Sequence, residues 1–171
     1  MKISSIKASR KGFRTSRHQE QEFGPGKTGI ILCPVCNAAY YLKSWHHDLS
    51  KFPYIREDKK IEFKKCPACQ MWSEKEWEGE IRITNLPAGK IEEVRRAALG
   101  TANQAYRKDP MDRIFDIKSS GKDLIIYTSE NQLAMRVARK LERSFKKHFS
   151  KAEIHHGKSE DAFIIKMAWI K

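Results

Sequence analysis

Cys33-Pro34-Val35-Cys36 and Cys66-Pro67-Ala68-Cys69 are two matched C-P-x-C turns, and they hold all four cysteines of the 171-residue chain. Each turn sets two thiols on one tight bend. The 29 residues between the turns are enough for a β-hairpin that folds one turn over the other. Four thiolates at tetrahedral reach are the donor set of a structural Zn²⁺ site, and the doubled spacing is a specific signal for one. The same residues have two other uses: iron in the same cage, as in an electron carrier, or two disulfides, which belong to secreted chains. A closed four-thiolate site has no open position for water or substrate, so it is structural rather than catalytic. Its binding free energy folds a segment too small to hold a core alone.

Working outward from the cysteines, residues 28–78 read as a zinc ribbon. Ala39-Tyr40-Tyr41-Leu42-Lys43 and Lys60-Ile61-Glu62-Phe63-Lys64 are short, β-prone and partly alternating. Aromatic residues crowd this segment. Most are expected to build the ribbon's core, with Trp45 and Tyr54 as exposed exceptions because they fall in the intervening loop. His46-His47 and His155-His156 lack the i, i+4 spacing and neighbouring carboxylate of a hydrolytic metal site, so no ligand role is assigned to them.

Residues 79–171 predict a compact α+β domain in the order β-α-ββ-α-ββ. Glu80 to Thr84 alternates as a strand, and Lys90 to Arg107 carries a helical stripe at Ile91, Val94, Ala98, Ala102 and Ala105. Asp109-Pro110 breaks that helix. Ser119-Ser120-Gly121 marks a hairpin between Ile114–Ile117 and Leu124–Thr128, and a second hairpin turns around Gly157. The strongest helix spans residues 130–149, with Leu133, Val137, Leu141 and Phe145 on one face. Hairpins with few helices predict an antiparallel sheet carrying two helices on one face.

Charge supplies the functional signal. The net charge is +13 and the sequence pI is about 9.7, in the range of nucleic-acid-binding domains. Residues 1–27 hold seven Lys/Arg against two Glu and read as a disordered basic arm with Lys7, Arg10, Lys11, Arg14 and Arg17 as phosphate contacts. The arm ends in Gly24-Pro25-Gly26-Lys27-Thr28-Gly29. This is a linker rather than a phosphate-binding loop, since Gln21 stands where that loop needs its first glycine. A second basic surface lies on the 130–149 helix, where Arg136, Arg139, Lys140, Arg143 and Lys147, widened by Lys146, form a ridge. The expected partner is RNA, read largely through its shape. No apolar run approaches the length of a membrane helix, and no signal peptide is evident, so the expected location is cytoplasmic. No nucleophile motif or small-molecule site is apparent, and the expectation is a non-enzymatic protein.

Several of these stretches also carry a resemblance. The arm ending near Gly24-Pro25-Gly26, the two C-P-x-C turns with the aromatic stretch through Trp45, Asp109-Pro110-Met111-Asp112-Arg113-Ile114, and the helix with Ala134, Arg136, Val137 and Ala138 are its basis. Together they resemble a group of bacterial zinc-ribbon proteins, similar in turn to the N-terminal region of the archaeal and eukaryotic export adaptor of the large ribosomal subunit, a protein associated with nonsense-mediated decay. The resemblance implies one Zn²⁺ on Cys33, Cys36, Cys66 and Cys69, and binding to ribosomal RNA or the large ribosomal subunit. The adaptor has more C-x-x-C pairs than the two present here, and nuclear export is not carried over. Two rival functions stay open: a protein-docking module of a transcription or regulatory complex, and an iron-loaded electron carrier.

Overall fold

The computed structural model describes residues 29–50, 52, 60–157 and 162–170. Two sheets organise them. The first contains β1 (Ile30–Leu32), β2 (Ala39–Tyr41), β3 (Ser44–His46) and β4 (Ile61–Phe63), in the spatial order β3-β2-β1-β4. Helix α1 (Pro67–Glu74) follows it. The second sheet contains β5 (Gly79–Thr84), β6 (Ile114–Ser120), β7 (Asp123–Thr128), β8 (Glu153–His156) and β9 (Phe163–Ala168), in the order β6-β7-β5-β9-β8. Helices α2 (Ile91–Tyr106) and α3 (Asn131–Ser144) connect its strands. The protein is therefore α+β, with the element order β-α-ββ-α-ββ after the cysteine segment, as the sequence predicts. Among the described residues no helix is long and apolar enough to cross a membrane.

The pairing departs from expectation in both sheets. The two strands read from the first segment do not form a hairpin with each other. They lie on opposite sides of β1, which pairs antiparallel with β2 and parallel with β4. The hairpin is instead β2–β3, closed by Leu42 and Lys43 at φ 49° and 64°. That is the left-handed backbone of a two-residue hairpin turn, in a place with neither Gly nor Asn to announce it. The second sheet is antiparallel except at one join, where β5 runs parallel to β9 from Gly79↔Phe163 to Thr84↔Ala168. Because β9 takes the place beside β5, β8 becomes the edge. Strands β5 and β6 lie on either side of β7 in the same direction, a split β-α-β arrangement.

The larger core lies between this sheet and its helices. Ile81 and Ile83 of β5, Leu124 and Ile126 of β7, and Ile165 and Met167 of β9 point to one face. Val94 and Ala98 of α2 and Leu133, Val137 and Leu141 of α3 close over them. Gly79 brings α3 close to the sheet: a Cβ there would lie 2.2 Å from Thr128 Oγ1 and 2.6 Å from Ala134 Cβ. Helix α3 is shorter than the 130–149 stripe. It stops at Ser144, with Phe145 as its C-cap, and the apolar run continues as a turn that buries Phe145 and Phe149 against Trp169.

A smaller core holds the cysteines. Ile31, Ala38, Trp45 and Ala68 surround them, and Met111 enters from the second half of the chain. A bulge between Ile114 and Asp116 breaks the β6–β7 register at Phe115. Bulges re-aim side chains, and here Phe115 packs on this core with its ring 5.6 Å from Trp72.

Candidate metal centre and basic surface

Two different local structures deliver the four thiols. At the first turn, Asn37 N–H donates to the Cys33 carbonyl at 2.9 Å, and Cys33 N–H donates to the Ala38 carbonyl at 2.8 Å. Asn37 takes φ 61°, a backbone state that Asn tolerates better than most residues. At the second turn, Cys66 is the N-cap of α1, Pro67 occupies its first turn, and Cys69 lies on the helix. Proline suits that position because its missing N–H would have had no helical partner. The same helix end favours negative charge on both cysteines.

The Sγ atoms of Cys33, Cys36, Cys66 and Cys69 all lie within 4.8 Å of one another, and Cys36 and Cys66 approach to 3.6 Å. Thiolates about 2.3 Å from a shared tetrahedral ion would sit about 3.8 Å apart. All four cysteines are free thiols, so the disulfide alternative does not describe this site. The four cysteines are thus positioned to bind one metal ion. Soft sulfur donors in this geometry fit zinc or iron.

A cation from outside the motif completes the site. Arg113 donates from Nη2 to Cys36 Sγ at 3.1 Å and from Nη1 to Cys69 Sγ at 3.3 Å. Its backbone is fixed to the end of β7, since Arg113 N–H donates to Ser129 Oγ at 2.8 Å and Ser129 N–H donates to the Arg113 carbonyl at 2.9 Å. Arg113 Nε also donates to the Pro110 carbonyl at 2.7 Å, and the guanidinium carbon stands 5.5 Å from the Tyr106 ring centroid. Nothing local in the sequence marks Arg113 as a partner of the cysteines. The only cue is chemical: four thiolates, three of them buried, need countercharge beyond one divalent ion.

The thiols respond to this environment. Burial pushes up the Cys66 thiol, and the neighbouring charges of Cys36 and Cys69 add to the rise. Burial also raises Cys69, against the lowering effect of Arg113. For Cys33, hydrogen bonds from the backbone at Cys66, Cys36 and Val35 outweigh burial and hold the thiol at about 6. Burial alone would lower the Arg113 pKa, but its thiolate partners raise it, so the guanidinium stays charged. Four thiols cannot all ionise in this volume without a cation, so metal loading displaces protons.

The expected nucleic-acid residues divide into two groups. Lys7, Arg10, Lys11, Arg14 and Arg17 lie outside the described residues. Arg136, Arg139, Lys140 and Arg143 are exposed on α3, and Lys146 and Lys147 are exposed on the turn after it. Arg136 pairs with Asp112 at 3.2 Å. Among the described residues the other five carry no ion pair.

Aromatic placement corrects the sequence reading. Trp45 is only 4% exposed, because β3 turns it into the small core against Tyr40. Tyr54 lies outside the described residues. The most open rings are instead Phe63, 73% exposed on β4, and Trp72, 57% exposed on α1. The histidine pairs lie apart from the cysteines. His46 Nε2 contacts the Tyr41 carbonyl, His47 Nε2 contacts the Tyr106 carbonyl, and His155 faces Glu153.

No family model matches this chain, and no curated protein or solved structure shows significant similarity to it.

Proposed function

We propose that this chain is a non-enzymatic zinc protein that binds RNA, with ribosomal RNA or the large ribosomal subunit as the target. The supporting observation is the exposed row on α3 and its following turn. Arg139, Lys140, Arg143, Lys146 and Lys147 stand together without ion pairs among the described residues, on a chain of net charge +13. A basic row needed only for solubility would be interleaved with acids. The resemblance read from the sequence, to bacterial zinc-ribbon proteins similar to part of a large-subunit export adaptor, points to the same partner. Zinc is favoured over iron because the basic surface suits RNA and gives an electron carrier no support.

The test is co-sedimentation with purified ribosomal subunits over a salt series. Saturable binding to one subunit is expected, and Arg139→Glu combined with Lys140→Glu and Arg143→Glu should weaken it. Each lost phosphate contact should lower the salt slope by about 0.7–0.9. Binding no stronger than to an unrelated polyanion, or an unchanged slope in the triple variant, overturns the reading. Metal content by mass spectrometry decides zinc against iron.

A second reading is favoured by one observation. The metal unit exposes Val35, Leu42, Ile61, Phe63 and Trp72. These would suit docking on a protein partner, which predicts salt-insensitive binding that Phe63→Ser abolishes.

A further inference from the structure

A cleft of about 240 Å³ opens beside the metal centre, between the C-terminal half of α2 and the segment leading into β6. Leu99, Ala102 and Ile114 make its apolar lining, and Asn103, Tyr106, Asp112 and Arg113 make its polar one. We propose that this cleft holds a single unpaired RNA base carrying an exocyclic amino group, delivered from a strand that lies along the α3 ridge. The inference rests on the RNA reading above and names the part of the ligand that the cleft would take.

Size is the first argument. Sites for whole cofactors or drug-sized ligands enclose roughly 300–1,000 Å³. This cleft is smaller and suits one flat group.

Chemistry is the second. Unpaired bases are held by stacking on aromatic or guanidinium planes and by hydrogen bonds to their edges. Tyr106 is 37% exposed and forms part of the wall. Its ring is already packed with the Arg113 guanidinium carbon at 5.5 Å and the His47 ring at 4.6 Å, so the base is held chiefly through its hydrogen-bonding edge. The Asn103 side-chain amide, exposed and without a hydrogen bond among the described residues, can both donate and accept. The Asp112 carboxylate gives one oxygen to Arg136 at 3.2 Å, and its other oxygen has no hydrogen bond among the described residues. A carboxylate only accepts, so it pairs with a base edge that donates, and an exocyclic amino group, with two outward N–H donors, suits it better than the single ring N3–H of uracil.

Connection is the third argument. Asp112 lines the cleft and holds Arg136, the first residue of the basic ridge. Phosphate contacts along α3 would therefore run directly to the lip of the cleft. Arg113 forms one wall while donating to Cys36 and Cys69, so the metal centre fixes that wall in place.

The experiment is fluorescence anisotropy of the full chain with labelled single-stranded oligo(A), oligo(C) and oligo(U), alongside the Asn103→Ala and Asp112→Asn variants and the α3 triple variant. The expected result is about tenfold tighter binding of oligo(A) and oligo(C) than of oligo(U). Asn103→Ala and Asp112→Asn should each shrink that preference, read as the ratio of oligo(A) or oligo(C) to oligo(U) affinity within each variant, because Asp112→Asn also releases Arg136 and shifts oligo(U) binding itself. Asn103 is exposed, so its loss tests the cleft without endangering the fold. Ridge-dependent binding with no base preference, or a preference that survives both variants, overturns the cleft proposal and leaves the RNA reading intact. No binding to any oligonucleotide or ribosomal subunit overturns both.

Discussion

Replacing Arg113 with Ala should weaken metal binding without touching a metal ligand. The guanidinium makes hydrogen bonds of 3.1 and 3.3 Å to two of the four thiolates. A hydrogen bond to a charged group stabilises by about 1.5–3 kcal/mol. The two bonds share one donor group and one net charge, so their contributions do not simply add. Loss of a residue that supports metal ligands typically lowers affinity about 10–100-fold. Working from the lower end of the bond energy, with partial compensation by water, places Arg113→Ala inside that range. Arg113→Lys should recover part of the loss, because a single ammonium cannot span Cys36 and Cys69 as the planar fork does. The assay is competition between the loaded protein and a chromogenic chelator, with thermal melts of each variant recorded separately. Arg113 also donates to the Pro110 carbonyl and lies over Tyr106, so some loss of fold stability is expected too. An Arg113→Ala protein whose metal affinity stays within about threefold of the parent would refute the reasoning. Arg113 would then be a packing residue that happens to lie near sulfur.

Glu130 supplies a pH prediction. Burial, followed by the charges of Glu78, Asp112 and Asp109, raises its carboxyl from 4.5 to about 8. The folded chain therefore holds a proton that the unfolded chain has released, so stability is full below about 4.5 and falls as pH rises through about 8. Glu130→Gln should melt like the parent near pH 4.5 and about 5 °C higher near pH 8.5; equal shifts at both pH values would count against it. At Gly79, a methyl group would meet Thr128 Oγ1 at 2.2 Å and Ala134 Cβ at 2.6 Å. Gly79→Ala should cost about 1–3 kcal/mol by urea denaturation, and an unchanged midpoint would show that α3 can withdraw from the sheet.

The features legible in the sequence were those with a local or repeated signature. The paired C-P-x-C turns announce four converging thiols, and those thiols do converge. Leu133, Val137 and Leu141 recur at helical spacing and are fully buried under α3. Gly121, at φ 58°, turns the β6–β7 hairpin where Ser119-Ser120-Gly121 predicts a turn. What escaped depends on distant partners. The β1–β4 and β5–β9 joins are parallel, and each links segments far apart in the chain. Strand β1 is three residues long, too short for any period to show. Trp45 looked like a loop residue because Leu42-Lys43 lacks the usual turn residues, which hid the strand that buries it. Arg113 is 44 residues beyond Cys69. Only the folded path through Pro110 and Ser129 brings it to the sulfur.

The parallel join between β5 and β9 has a consequence for the order in which the protein is made. Strand β9 sits inside the sheet, between β5 and β8, yet it is the last of the nine described strands to be synthesised. Until residue 168 has left the ribosome, β5 has a bare edge and α3 has only part of the surface it covers. The cysteine unit, by contrast, has all its ligands once Cys69 has emerged, but Met111, Phe115 and Arg113 reach it only later. The nascent chain therefore passes through a stage with a metal-competent head and an unfinished sheet. In that interval the open edge of β5 is exposed to pairing with other chains.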